Sequence, residues 1–505
     1  TFELEPGIAC QVHDTISGKS TRLGELLENW RHCPGNRTVQ WSVPVTPANV
    51  HRIEGLFLLA SEQGISLEFQ PLPEMSDRER AFLDDFLSHR FPEATPLPAR
   101  LSRFLLEGGS FLRDCSNAAR QFGPAQSWRV DSANTISTAL LIGAYGGEHV
   151  GDAAILGGVL LRLHEEFGTR QAHVFSHRPL HTARLAQGLS TPVNLSVHPY
   201  EIARVEQLLA SSDALILAGG PLMDLPRVLV KHLGAVGAAS RLRRPVLALC
   251  VGIGPFRRRI SRWMARRIAR RTGFISVRAS QAAADPILAG LTVQTARDPA
   301  FDYLASRKQL TLLHDGERKA LGALLEGTED RFRVGVNLRP IRHLWSTKGA
   351  SYSRKAEDQF FLRFAEGLIR FARLKPVSYI FFPMNPIQSG CSDLASAYRL
   401  HRLLGGTVDM RVWEADPDVD GVLHLLRQLD CAVTMRLHAG IFSISQDLPV
   451  LGIDYYPGQG GKVEHLFKDQ GRAGDVCRMD KIDSDWLVSG LVRLTGRVKL
   501  MTERR

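Results

Sequence analysis

A chain of 505 residues with 44% hydrophobic content is long enough for roughly two to four domains with sizeable cores, and its composition is that of a soluble globular protein. A formal net charge of +11 favours acidic partners (a phosphorylated small molecule, an anionic sugar carrier, a membrane surface or nucleic acid) without choosing among them. Seven scattered cysteines with no C-x-x-C pair argue against a disulfide framework or a structural zinc site. With no signal peptide and no run of about 18 uncharged apolar residues, a cytoplasmic protein is expected. The chain opens at Thr1, as a processed form or a piece of something longer would.

Residues 1–130 read as a small accessory α/β domain of unassigned role. Stretches 39–45 and 65–69 have strand character, and 51–63 reads as a helix carrying Ile53, Leu56, Leu58 and Leu59. This β-α-β pattern is faintly similar to the closing half of a radical-SAM barrel. The chain has no C-x-x-x-C-x-x-C run to hold the iron–sulfur cluster that such an enzyme needs. Segments 93–98 and 121–124, rich in Pro and Gly, are the expected linkers.

From residue 138 the pattern becomes that of a nucleotide-type α/β half. An apolar strand at Leu140-Leu141-Ile142 runs into a Gly-rich turn and a helix with Ile155, Val159, Leu160 and Leu163 on one face. Glycine allows backbone amides to approach an anion at a helix N-terminus, although the spacing here is not the dinucleotide pattern G-x-G-x-x-G. The strands 214–217 and 246–249 also end in glycine turns, Gly219-Gly220-Pro221 and Gly252-Ile253-Gly254-Pro255. Three strand-to-glycine turns place a site along the strand ends of one sheet.

The segment 256–271 holds eight arginines, with Ile260, Trp263, Met264 and Ile268 expected near one helical face. A solvated helix packed on the sheet is the plain reading, and a landing surface for anionic lipid headgroups or a lipid-diphosphate-linked acceptor is the functional one. No recognition module for nucleic acid accompanies the charge, so nucleic acid is not an expected partner.

The second half repeats the α/β logic. Segments 332–338 and 377–382 read as strands separated by a helical pattern over 353–373, and 450–454 is a further buried strand. Two halves, 138–325 and 326–480, with a cleft between them and a helical tail over 481–505, are the expected organisation. The apolar run Cys431-Ala432-Val433 is followed by Arg436 and His438 at what would be a sheet's carboxyl edge. Such a pair can hold an anion and move a proton. The alternative is a structural ion pair at Arg436 and a helix-start histidine at His438.

Taken in order, these motifs resemble those of the polysaccharide pyruvyl transferases. The series is Gly151-Asp152-x-x-Ile155-Leu156, Gly219-Gly220, Gly252-Ile253-Gly254-Pro255, Ser276-Val277-Arg278, Asp298-Pro299-Ala300-Phe301, Asn337-Leu338-Arg339-Pro340, Phe382-Pro383, Arg436-Leu437-His438-Ala439, and Gly452-Ile453-Asp454-Tyr455 leading to Lys462. It spans roughly residues 138–480. The resemblance implies a GT-B-like pair of Rossmann-like domains. It also implies transfer of the enolpyruvyl carbons of phosphoenolpyruvate onto sugar hydroxyls, with phosphoenolpyruvate as donor substrate and no further cofactor.

Under that resemblance His438 is the general acid/base, Arg436 and Arg278 bind the donor, and Lys462 helps on phosphate. An imidazole suits proton exchange at neutral pH, and arginine's planar fork matches carboxylate and phosphate. Arg278 has a second reading as a mere partner of Asp298, and Lys462 as a loop charge. Asp152 reads equally as a structural acid at a helix start and as an acceptor-binding group, and Arg339 is similarly open. Gly219 and Gly220 are candidates for acceptor or anion binding. No metal is expected, because the histidines and acids do not cluster at ligand spacing.

The chain departs from the family pattern at Glu148-His149-Val150, at Gly219-Gly220-Pro221, at Arg278-Ala279 and in the insertion 457–461, so the donor half is better kept than the acceptor half. The expected acceptor is a glycan or lipid-linked sugar, with membrane contact through 256–271 at the inner membrane face. Two rival readings share the fold: a GT-B glycosyltransferase using a nucleotide sugar, and a noncatalytic glycan- or lipid-carrier-binding module.

Overall fold

Apolar runs long enough to be buried on both faces, separated by glycine turns and amphipathic helices, dictate parallel sheets with helical crossovers. The structure, a computed structural model, has two such sheets among its described residues, besides a two-stranded parallel pair. It describes residues 40–45, 66–71, 115, 135–143, 145, 150–254, 256, 258–278, 280–307, 310, 313, 315–341, 350–385, 393–414, 417–456 and 460–502. The chain divides into one unit over Thr95–Gln309 and another over Leu310–Arg505, with which Thr1–Ala94 is grouped.

In the leading segment, β1 (Gln40–Val45) and β2 (Ser66–Pro71) pair in parallel, Gln40 opposite Ser66. These are the two strands expected there; the intervening helix reading, 51–63, and both linker readings lie outside the described residues.

In the first unit the strands are β3 (Thr138–Gly143), β4 (Gln171–Ser176), β5 (Asn194–Pro199), β6 (Ala214–Ala218), β7 (Val246–Val251), β8 (Phe274–Val277) and β9 (Gln294–Thr295). The helices are α1 (Val150–Phe167), α2 (Pro179–Gln187), α3 (Ile202–Ala210), α4 (Pro226–Arg241), α5 (Arg259–Ala269), the short α6 (Ser280–Ala283) and α7 (Pro299–Ser306). Strand order is β5-β4-β3-β6-β7-β8-β9 with every pairing parallel, so the order reverses between β3 and β6. The expected helix face Ile155, Val159, Leu160 and Leu163 is buried, and so are Gly157 and Gly158. A side chain at Gly158 would strike the Pro299 carbonyl, so its bareness lets α7 lie against α1. Asp298 caps α7 by accepting the Ala300 N–H at 3.0 Å, and Pro299 opens the helix where its missing donor costs nothing.

The second unit contains β10 (Phe332–Asn337), β11 (Val377–Phe381), β12 (Asp409–Val412), β13 (Cys431–Thr434), β14 (Val450–Asp454) and β15 (Val476–Arg478). Its helices are α8 (Asp315–Leu325), α9 (Ala350–Ala372), α10 (Asp393–Leu404), α11 (Val419–Leu426), α12 (Leu437–Ser445), α13 (Lys462–Asp469) and α14 (Ser484–Thr502). The order β12-β11-β10-β13-β14-β15 is again all parallel and reverses between β10 and β13. Val334, Val336, Tyr379, Phe381, Val433 and Leu451 are fully buried between helices, among them α9 through Phe361, Phe364 and Leu368. The helix expected beyond residue 481 is α14, whose Leu487, Leu491 and Leu494 join this core.

The basic segment corrects one expectation. Helix α5 buries Met264 and Ile268 together with Ser261, Ala265 and Ala269, but leaves Ile260 53% and Trp263 42% exposed. The buried face is centred near Ile268, and at about 100° per residue Ile260 and Trp263 rotate out of it.

Candidate functional site

In open parallel sheets the connections on either side of an order reversal leave in opposite directions, opening a crevice at the strands' carboxyl ends. In the second unit this reversal falls between β10 and β13, whose ends carry Asn337 and the run Met435-Arg436-Leu437-His438. Asn337 spans the two strand ends. Its backbone carbonyl accepts the Met435 N–H at 2.8 Å, its Oδ1 accepts the Arg436 N–H at 3.1 Å, and its Nδ2 donates to the Phe382 carbonyl at 2.9 Å.

Arg436 is the N-cap of α12 and 4% exposed, with its side chain on Asp393. Nε lies 2.8 and 3.1 Å from the two carboxylate oxygens, and Nη2 lies 2.6 Å from Oδ1. Asp393, the first residue of α10 and fully buried, also accepts the backbone N–H groups of Met384 at 2.9 Å and Asn385 at 3.2 Å. One carboxylate therefore ties together the ends of β10, β11 and β13. The structural ion pair expected as the alternative at Arg436 is present. Such a buried bidentate pair is strongly directional, and removing either member deprives the other of this bond.

His438 stands in the first turn of α12, 7% exposed, directly after this pinned turn. It therefore stands both near the start of a helix and at the reversal point.

Arg339 follows β10 and places its guanidinium 4.7 Å from the ring centroid of Tyr455, the residue after β14. Asp454, at the end of β14, accepts the N–H of Tyr456 at 2.9 Å and of Glu464 at 2.9 Å, so it satisfies the amino end of α13 from a distance. Burial pushes its carboxyl above the ordinary range, and the two N–H donors pull it back down. The exposed Lys462 is the first residue of α13, so Asp454 fixes the base of Lys462 rather than its ammonium. Arg436, His438, Arg339 and Lys462 thus all stand at the carboxyl edge of one sheet.

The first unit holds Asp152, Gly219 and Gly220 at its own reversal, between β3 and β6, and Arg278 two strands away, after β8. Gly219, in the turn after β6, has φ +69°, and its carbonyl accepts the Gly252 N–H at 2.9 Å. Gly220 follows it in the same turn, and Asp152 lies in the first turn of α1, where a negative charge suits the helix dipole. Burial, and secondarily the charge of Asp152, pushes the Tyr145 hydroxyl above its usual value. Gly146 to His149 lie outside the described residues.

Arg278 follows β8 and donates from Nη1 to Asp298 at 3.0 Å, both side chains largely buried. Its guanidinium lies against Gly252, where an added Cβ would come within 2.7 Å of Nη2. The pairing with Asp298 foreseen for it is therefore real. Beneath, Cys250 takes φ +50° at the end of β7, its N–H bound to Ser276 Oγ at 2.8 Å and its Sγ 3.2 Å from Arg162 Nη1. Burial pushes its thiol up, with Arg162 acting against that. Among the described residues no group of three or more His, Cys, Asp or Glu could hold a metal ion.

The residue that sequence reasoning missed is Asp393. Its only local signal is an acid at the start of an amphipathic helix, which reads as a helix-dipole acid. Its partner stands 43 positions away.

Fold and site together define an α/β protein of two Rossmann-like domains, the pair that GT-B-like proteins carry, with basic residues and a histidine at strand-end reversal points. The family model for polysaccharide pyruvyl transferase matches residues 149–456, and the chain belongs to that family. It is a transferase family, so the protein is an enzyme of the transferase class.

No curated protein matches the chain in sequence. Solved structures similar to it include the S. aureus MnaA–UDP complex, at 13% identity over 72% of this chain and 90% of that one, TM-score 0.44. UDP-GlcNAc 2-epimerase from Neisseria meningitidis bound to UDP-GlcNAc is similar at 11% identity over 72% of this chain and 100% of that one, TM-score 0.40. E. coli ADP-heptose LPS heptosyltransferase II is similar at 12% identity over 73% and 100%, TM-score 0.37.

Proposed function

We propose that the protein transfers the enolpyruvyl carbons of phosphoenolpyruvate onto sugar hydroxyls of a polysaccharide or lipid-linked glycan precursor, closing a cyclic ketal. The observation that carries this reading is His438, held in the first helical turn after a pinned arginine at the sheet's reversal point, in a chain of this family.

The chemistry needs a proton on the donor's methylene carbon, which becomes a methyl group, and stabilisation of positive charge at the central carbon. A sugar hydroxyl adds there, giving up its proton. Phosphate then leaves with the C–O bonding pair, and a second hydroxyl closes the ring, its proton passing to the departing phosphate. In this reading His438 delivers the first proton and receives one back, as an imidazole does near neutral pH. Arg436, oriented by Asp393, meets the donor's anionic groups. Arg278 and Lys462 are assigned to the same donor, while Asp152, Gly219, Gly220 and Arg339 are assigned to the acceptor or its anionic group. Phosphoenolpyruvate is the donor substrate and no cofactor enters.

Among the described residues Cys250, Cys431 and Cys477 are free cysteines, which supports a reducing, cytoplasmic setting. The role fits supply of a modified glycan to the cell envelope or to an exopolysaccharide.

The test is incubation with phosphoenolpyruvate and lipid- or nucleotide-linked sugar acceptors. Phosphate release with a matching mass gain on the acceptor is the expected result, together with thermal stabilisation by phosphoenolpyruvate. Stabilisation by nucleotide sugars and never by phosphoenolpyruvate would replace this reading with a glycosyltransferase.

A further inference from the structure

Helix α5 satisfies the core with one face and carries its charge on the other. Ser261, Met264, Ala265, Ile268 and Ala269 are each at most 3% exposed. At about 100° per residue the opposite face is a stripe of Arg259, Trp263, Arg266 and Arg270, spaced i, i+4, i+7 and i+11. Ile260 and Arg267 flank it on one side and Arg262 on the other. The Arg267 guanidinium lies 5.3 Å from the Trp263 ring centroid. No acidic residue occurs within 256–271. Asp224, in the turn before α4, touches its edge, accepting Arg258 N–H at 3.3 Å and, through its carbonyl, Arg258 Nη1 at 3.1 Å. Its neighbour Leu225 is 48% exposed.

We propose that this face docks on an anionic lipid bilayer, its arginines among the headgroups and Trp263 and Ile260 at the boundary with the acyl chains. The arginines are spread along about 16 Å of a convex helix, whereas a discrete phosphate site needs donors converging on one point. A duplex would use the charge and leave exposed Ile260 and Trp263 without purpose, and a single-stranded partner stacks on several aromatic rings rather than one. Basic residues around an apolar centre with an indole suit a bilayer interface. Attachment here is peripheral: among the described residues no helix is long and apolar enough to cross a membrane.

The experiment is sedimentation of the full chain with phosphatidylcholine vesicles, with and without phosphatidylglycerol, and it reads no transfer activity. Binding should require phosphatidylglycerol and be released by high salt. Each arginine at an anionic surface is worth about fivefold in partitioning, so Arg259→Gln/Arg270→Gln should bind roughly 30-fold more weakly. That variant leaves the backbone contacts of Arg258, Arg262 and Arg266 in place, and an unchanged melting temperature would show it folded. Trp263→Ala should weaken binding at constant charge. Equal partitioning of wild type and the double arginine variant at low salt would overturn the proposal. So would loss of vesicle binding to inorganic phosphate at matched ionic strength, which marks a discrete anion site, or retention on oligonucleotides without vesicle binding.

Discussion

Replacing Asp393 tests whether the turn carrying Arg436 and His438 is held from a distance. Asp393→Asn keeps the shape and one acceptor, which can still serve the Met384 and Asn385 N–H groups. Its amide NH2 then faces Nε and Nη2 of Arg436, donor against donor, with the arginine 4% exposed and its carboxylate gone. Breaking a buried pair by losing one partner costs about 3–5 kcal/mol. For a unit of this size about 1 kcal/mol moves a melting point by roughly 2–4 °C, so its calorimetric transition should fall by roughly 6–20 °C. Arg436→Met should fall comparably. The double variant Asp393→Asn/Arg436→Met, with no buried charge left, should be little worse than either single change, giving a coupling of roughly 3 kcal/mol. A fall of under about 2 °C for Asp393→Asn, or strict additivity in the double variant, would show that the pair does not hold the turn.

Folded His438→Gln should lower turnover by roughly 10²–10⁴-fold with little change in donor affinity, whereas Arg436→Lys should chiefly weaken donor binding; steady-state kinetics with phosphoenolpyruvate separates the two, and near-normal turnover by His438→Gln would remove it from the mechanism. Gly158→Ala should destabilise the first unit by about 1–3 kcal/mol, read as a lower melting point, because the new methyl meets the Pro299 backbone and no flexible side chain can yield. His232 is fully buried, bonded to the Tyr200 hydroxyl at 2.5 Å, and pushed down to about 3, mainly by burial. Its folded value is depressed, so the unfolded chain takes up the extra proton: stability should fall by up to about 1.4 kcal/mol per pH unit between pH about 6.5 and 3. Urea titrations across that range should show a shallower slope for His232→Phe.

Where burial on both faces made a strand a near-continuous apolar run, the sequence was readable: the expected 450–454 strand is β14 (Val450–Asp454), and β3, β6, β10, β11 and β13 lie within a few residues of expectation. Strands β4, β5 and β12 went unread because His173, Ser196, His198, Asp409 and Arg411 interrupt their apolar pattern, and these strands lie toward the edges of their sheets. Candidate residues at glycine turns were located through local motifs. Asp393 was not, since its meaning comes only from the sheet order that brings α10's start to the ends of β10 and β13. For α5, counting apolar residues found the helix but not its orientation, because small Ser261, Ala265 and Ala269 rather than Ile260 and Trp263 complete its buried face.

The bond between Arg436 and Asp393 also bears on how an anion would arrive. A cation locked to a carboxylate 2.6 Å away looks, from more than several ångströms, like a dipole, whose field dies off faster than that of a lone charge. Under the proposed function, capture of the donor from bulk solution therefore falls to the chain's net charge of +11, while Arg436 acts only once the donor is in reach. The association rate should be sensitive to ionic strength, and the lifetime of the bound donor should depend on Arg436.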